Sequence, residues 1–466
     1  MILLSITVIL TWVVAAILAL LDGRKPWVGW FAVAGQTAGF VSLCLLAARV
    51  LANGPVEMVA GGWPEGVGIT LRADALGVAF ALVSCAVILA SLLYEVIVGV
   101  RTRTFPALVL FLNSGLMGLF LTGDIFNFYV FVEISMTSAY ILAAYREQNY
   151  QIRAAFVFAV VNLLGSVIFV VAIAGLYHLT GSLDMATVAD RVKGAELAST
   201  VSVTVAIFVA FGLKIGLFPF HFWLPAVYVG SHAPVSAILA GALANIGSYG
   251  LLRFGGGILP EQSTGAALVL LLLGSASILY VALQAISRRL PAEVMAYSAI
   301  GHAGYILIAI GVGGQVGYAA AVLYAIVNSA NKAVLFLATG SRGRLVGAAF
   351  AVGAFSVAGV PPAAGFLSKL VLFRAGLSVG GVPGSAVLVA LIFVGGALSF
   401  IYSFQVYQKT YMMTPGVEGQ EEQKPSPLAV RMLLITLAAL VLLGGFWPEP
   451  LLALSDAAAS VLGGSR

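Results

Sequence analysis

The sequence predicts an all-α integral membrane protein with about fourteen transmembrane helices, and three observations carry that prediction. Of the 466 residues, 61% are hydrophobic and 9% are charged, with a mean hydropathy of +1.08. A soluble domain carries about 25% charged residues. The apolar residues fall in runs of about 20, the length that crosses a bilayer as a helix. These runs are continuous rather than alternating, which favours helices over a closed barrel, the other way to satisfy a backbone in lipid.

In chain order, the first run, 2–21, lacks a basic start and a small-residue cleavage site, so it reads as a retained helix rather than a signal peptide. The second and third spans, 28–50 and 73–98, hold the two cysteines, Cys44 and Cys85. Neither carries a disulfide or metal signature, and buried apolar packing is expected for both. The fourth, 105–122, leads into the fifth, 125–145, which contains Glu133; the sixth is 154–179. The seventh, 200–222, holds Lys214 and is interrupted at Pro219. The eighth, 232–254, offers Asn245, and the ninth is 264–286. His302 lies in the tenth (293–314), Asn328 and Lys332 in the eleventh (317–339). The twelfth, 347–375, is broken at Pro361 and Pro362 ahead of Lys369. Spans at 386–409 and 429–448 complete the set. The longest polar connections are Asn53–Arg72, Gly181–Thr200 and Gln408–Pro427. The last, with Glu418, Glu421, Glu422 and Lys424, reads as a solvated loop.

The net charge of +5 says nothing about nucleic acid here; basic residues in a membrane protein mainly set orientation. The odd-numbered loops hold thirteen: Arg24, Lys25, Arg101, Arg103, Arg146, Arg153, Arg288, Arg289, Arg342, Arg344, Lys409, Lys424 and Arg431. The even loops and the ends hold seven: Arg49, Arg72, Arg191, Lys193, Arg253, Arg374 and Arg466. The odd loops are therefore expected in the cytoplasm and both termini outside.

Three basic residues remain, and all lie inside spans: Lys214, Lys332 and Lys369. An ionisable group at bilayer depth costs at least about 2.5–3.5 kcal/mol and is a functional-site hypothesis by default. Glu133 and His302 join them. These residue types can gain and lose protons when burial and pairing oppose each other. A static ion pair holding helices together is the competing reading. His221 and His232 sit near helix ends and read as polar-edge residues.

The prolines sharpen the functional reading. Proline inside a helix removes a donor and breaks or kinks it. Such breaks at membrane depth, paired between two halves of a transporter, mark an ion site near the midplane. The breaks at Pro219 and at Pro361 and Pro362 imply a repeat of about five helices, although the halves share little plain identity. The many glycines imply close helix packing.

At these residues the chain resembles a known family. The run FLTGDIFNFYVFVEISMTSAYIL (Phe120–Leu142) resembles the fifth-helix signature of the antiporter-like subunits shared by Mrp-type cation/proton antiporters and respiratory complex I, in a form like that of the D-type component of Mrp. KIGLFPFHFWLP with SHAPVSAILAGAL, YSAIGHAGYI and GVPPAAGFLSK follow in the family's order, and the resemblance covers roughly residues 70–410. It implies fourteen helices with both ends outside and two inverted five-helix repeats, each with a broken helix. The units would be 1–104, 105–254, 264–410 and 411–466. It implies that Glu133 pairs with Lys214, that Lys369 is an exit lysine, and that His302 and Lys332 belong to a hydrated polar axis. Two departures stand out. Asn245 and Asn328 occupy positions where the family often titrates, and asparagine does not titrate in this range. The path would then depend more on water.

The function expected is proton movement within a multi-subunit Na⁺/H⁺ antiporter, beside A-like and C-like membrane partners, in a prokaryotic cell membrane. No cofactor is expected, and no carboxylate cluster suggests a metal site. The alternatives are a membrane-arm component of a redox-driven pump and a non-conducting scaffold. With no Cys cluster and no dinucleotide fingerprint, the chain is not expected to do redox chemistry alone and is no enzyme by itself.

Overall fold

A computed structural model describes residues 2–63, 68–378, 382–412 and 426–462. Among these, twelve helices are long and apolar enough to cross a membrane, and two shorter apolar helices, Phe105–Phe120 and Arg344–Ala358, stand at the predicted fourth and twelfth spans. Fourteen segments thus follow in the predicted order. The seventh runs longer than expected, as Leu197–Gly230, and the twelfth is completed by Ala364–Ser378 beyond its break.

Local chemistry sets many starts. Asp74 and Asp124 accept from the backbone N–H groups of Gly77 and Asn127, capping the third and fifth helices. Burial nevertheless pushes the Asp124 carboxyl above the usual carboxylate range. Proline opens the second, eighth and tenth helices, where its missing N–H has no partner to lose.

The layers follow from burial. The eighth (Ala233–Ile258), tenth (Pro291–Val312) and eleventh (Gly314–Thr339) spans are 94%, 89% and 94% enclosed, so they form the centre. The sixth (Asn149–Thr180), ninth (Ala267–Ser287) and fourteenth (Leu428–Phe446) are 39%, 39% and 22% enclosed and present apolar faces outward. The ninth and tenth touch backbone to backbone. A Cβ on Gly274 would come within 2.7 Å of the Gly304 carbonyl oxygen, so only glycine permits that approach.

The structure adds features the sequence reading lacked. A hairpin pairs Val56–Val59 with Thr70–Ala73, and a short helix, Met185–Arg191, lies in the connection after the sixth span. A further helix, Glu449–Ser460, follows the fourteenth span and packs on the third (Ala75–Val98) and the eleventh. Two expectations are corrected. Cys85 is buried, but Cys44 faces outward from the bundle, because its helix lies at the rim. Arg253 is not a loop residue. The eighth helix continues through it to Ile258, and the guanidinium is buried in a fork on Asp74, with both N–O distances 2.7 Å. The even-side basic count falls from seven to six, which strengthens the charge asymmetry. Glu418, Glu421, Glu422 and Lys424 lie outside the described residues.

Candidate functional site

The first helix of the seventh span, Leu197–Ile215, ends one residue after Lys214. Gly216 then takes a left-handed conformation, φ +69°, which a side chain would strain. Pro219 follows, the chain makes a short 3₁₀ turn at Phe220–Trp223, and helix resumes at Leu224. The Leu213 carbonyl accepts from the Gly216 N–H at 3.2 Å and from the Trp223 indole N–H at 3.0 Å. Lys214 is thereby left at a helix terminus, its side chain 1% exposed.

The Lys214 amine does not meet Glu133 directly. Its Nζ donates to Ser166 Oγ at 2.8 Å, and Ser166 Oγ in turn donates to Glu133 Oε1. The Lys214 Nζ–Glu133 Oε1 distance is 4.0 Å, at the outer limit of an ion pair. Glu133 keeps 24% side-chain exposure on the flank of the bundle, so the pair runs from the interior to an outer face. Ser166 is the one serine of the sixth helix and does not stand out in the sequence, because a lone serine costs little in an apolar run.

The central residues divide into two groups. Asn245 stands in the eighth helix between π-helical turns at Leu239–Leu243 and Leu251–Ile258. Its amide nitrogen donates to Ser84 Oγ at 3.0 Å and Ser329 Oγ at 3.1 Å, and Ser329 donates back to Oδ1 at 3.2 Å. The expected water-holding amide is therefore occupied by two serines, and it ties together the third, eighth and eleventh helices. Lys332, one turn along from Ser329, is buried and makes no ion pair among the described residues.

At the second break, Gly359 (φ +82°) ends Arg344–Ala358, and Pro361 and Pro362 occupy the gap before helix resumes at Ala364. Gly365 N–H donates to Ser356 Oγ across the gap. The Lys369 amine turns back and donates to the Ala358 carbonyl at 2.8 Å, and lies 5.5 Å from the Tyr305 ring centroid. Beside it is a small cavity lined by His302, Tyr324, Asn328, Asn331, Ser368 and Lys369, with about 10 Å³ open to a water centre. That is roughly the room for one water. His302 Nδ1, Asn328 Oδ1 and Asn331 Oδ1 are buried without a protein partner, so a single water here would have several groups to bind. His221 lies apart, stacked on Phe218 in the first break.

The structure thus assembles the predicted residues into two clusters: Glu133–Ser166–Lys214 at the first break, and His302, Asn328 and Lys369 at the second. Asn245 and Lys332 lie on the central helices. Sequence reasoning missed Asn331, Ser166, and two buried acids, Glu95 and Asp74. Those acids carry a legible signal, a carboxylate at the edge of an apolar run, but in that position they read as span boundaries.

Residues 122–345 match the family model described as NADH:quinone oxidoreductase/Mrp antiporter, TM. The D component of the Na(+)/H(+) antiporter of Alkalihalophilus pseudofirmus is 29% identical over 445 residues, covering 90% of this chain and 88% of that protein. The N component of the NADH-quinone oxidoreductase of Desulforudis audaxviator is 30% identical over 445 residues, with the same coverage of each. A chain of the Mrp complex from Dietzia sp. DQ12-45-1b shares the fold, with a TM-score of 0.90 at 24% identity over 100% of this chain and 98% of that one.

Proposed function

This chain belongs to the NADH:quinone oxidoreductase/Mrp antiporter transmembrane family, and on that premise we propose that it is the proton-translocating part of a multi-subunit cation/proton antiporter. The observation that carries the reading is the buried Glu133–Ser166–Lys214 triad set at a broken helix. A lysine held there only for packing would need no titratable partner reached through a rotatable hydroxyl.

Lys214 holds a proton, and Glu133 sets how firmly it is held. Two unit charges about 4 Å apart interact by about 4 kcal/mol at an effective dielectric of 20. Each pKa unit is about 1.4 kcal/mol, so moving Glu133 away changes the proton affinity of Lys214 by orders of magnitude. Ser166 accepts from the Lys214 ammonium while it donates to Glu133, so the hydroxyl relays the charge of one to the other. The proton then passes along the central helices, by Asn245, Lys332 and water at His302 and Asn328, to Lys369. Residues 105–254 and 264–410 are the two units related by the breaks, and Pro219, Pro361 and Pro362 keep their helices interrupted. Partners are A-like and C-like membrane proteins of the same complex, the coupled cation is Na⁺, and the location is the cell membrane, with both termini outside.

The test is exchange in vesicles holding the whole assembled complex. Lys214→Ala and Glu133→Ala should abolish Na⁺/H⁺ exchange while the complex still co-purifies. Exchange at the unaltered rate in either variant would sink the relay. The 30% identity with a component of an NADH-quinone oxidoreductase favours a second reading, the membrane arm of a redox-driven pump. Mild-detergent purification followed by mass spectrometry separates the two. Small hydrophobic antiporter-like proteins support the antiporter, and flavin or iron–sulfur proteins support the pump.

A further inference from the structure

The face that gathers the odd-numbered loops carries a buried acid that the relay above does not use. Glu95 lies near the end of the third span and is 0% exposed. Tyr145 Oη donates to its Oε1 at 2.8 Å, and His232 Nδ1 lies 3.2 Å from its Oε2. On the other side of the imidazole, Nε2 meets the Arg146 guanidinium. A guanidinium only donates, so Nε2 is the acceptor and Nδ1 carries the hydrogen; Nδ1 and Glu95 Oε2 are close but not aligned as a hydrogen bond, and a small turn of the imidazole would complete the contact. His232 and Arg146 also border an open cavity of about 320 Å³, together with Gln151, Ser231 and Arg342.

Inward from Glu95 the third helix carries a polar stripe. Ser91 and Ser84, each 0% exposed, stand four and eleven positions earlier, on the same side of the helix as Glu95. Ser84 Oγ accepts from Asn245, which exchanges hydrogen bonds with Ser329, one turn before Lys332. The stripe covers about 16 Å at 1.5 Å per residue. It points from the surface cavity toward the middle of the central helices, with the Ser91 hydroxyl turned back onto the Val87 carbonyl.

We propose that His232 and Glu95 form a proton-uptake site on this face, feeding the polar axis at Asn245 and Lys332, with Arg146 as its latch. The inference rests on the proton-translocating reading above. When Arg146 swings off Nε2, that nitrogen takes a proton from cavity water. The hydrogen on Nδ1 passes to Glu95 Oε2. His232 is left neutral in its other tautomer, and one proton has entered the protein. Histidine suits the outer position because it exchanges protons with water near neutral pH. An arginine opposite Glu95 would have fixed the carboxylate in its charged form. The charged and titratable groups around the pair are Tyr94, Arg101, Tyr145, Arg146 and Arg342.

The test uses the intact complex in vesicles of one orientation, with pH varied on this face alone. Glu95→Gln should lower exchange at least about tenfold, the low end of positioned proton transfer being about 100-fold, with partial return in Glu95→Asp. His232→Gln should flatten the dependence on pH of this face. Wild-type exchange in Glu95→Gln overturns the proposal. If that variant fails to assemble, His232→Gln decides, and an unaltered rate and pH profile there overturns it equally. Lys214→Ala is run alongside. Loss of exchange in that variant with none in the other two refutes only the uptake site, whereas exchange retained in Lys214→Ala refutes the relay itself.

Discussion

Lys214 and Lys369 are both buried beside a broken helix, yet what holds the two amines differs in kind. Lys214 is met by side chains, a serine and behind it a carboxylate. Lys369 is met by the last carbonyl of the preceding half-helix and by the face of Tyr305. The first environment consists of side chains from two other helices, Ser166 and Glu133. The second is a backbone carbonyl and the face of a ring, with no carboxylate in contact among the described residues. Two broken helices thus hold a buried lysine in different ways, one through side chains and the other through a backbone carbonyl and a ring.

The comparison can be broken most forcefully at the second break. Lys369→Ala should end exchange, a loss of at least about 100-fold, and also leave the Ala358 carbonyl without its donor. Lys369→Arg keeps the charge and the donor but releases no proton, so it should assemble normally and still not exchange; exchange in that variant would mean the amine is only a helix cap. Next in size is Ser166→Ala. Removing a hydrogen bond to a charged group costs about 1.5–3 kcal/mol, so exchange should fall about tenfold or more while the complex persists. An unchanged rate would show that Glu133 reaches Lys214 without the bridge. Smaller again is Trp223→Phe, which removes one of two donors on the Leu213 carbonyl and leaves the Gly216 N–H. It should lower the melting temperature of the purified complex slightly, at about 0.5–1.5 kcal/mol for one net hydrogen bond, and leave exchange within a few-fold of wild type. The least effect is expected from Tyr305→Leu, a loss of about 0.5–2 kcal/mol of cation–π contact, read as a modest slowing of exchange.

Much of this was legible in the sequence. The fourteen segments and the two interruptions follow from apolar runs and from Pro219, Pro361 and Pro362, because lipid leaves the backbone few choices. Glu133, Lys214 and Lys369 stood out because charge at bilayer depth is expensive. Ser166 could not be read, since a serine costs little in a helix and nothing in one sequence says which serine faces a lysine. Arg253 was misplaced because a charge at a span's edge looks like a loop residue until its partner, Asp74, is found far away in sequence. Asn245 was expected to face water, but the serines that occupy it come from helices whose rotation is fixed only by packing. The Glu449–Ser460 helix escaped notice because it is too short and too polar to resemble a span.

That last helix bears on how the protein is made. It packs on the third and eleventh spans, both synthesised well before it. During insertion the eleventh span, which carries Asn328 and Lys332, therefore waits with one flank bare. Packing of the interior is thus finished only after Glu449–Ser460 has been made, and a nascent chain stalled before Glu449 leaves that flank of the eleventh span uncovered by it.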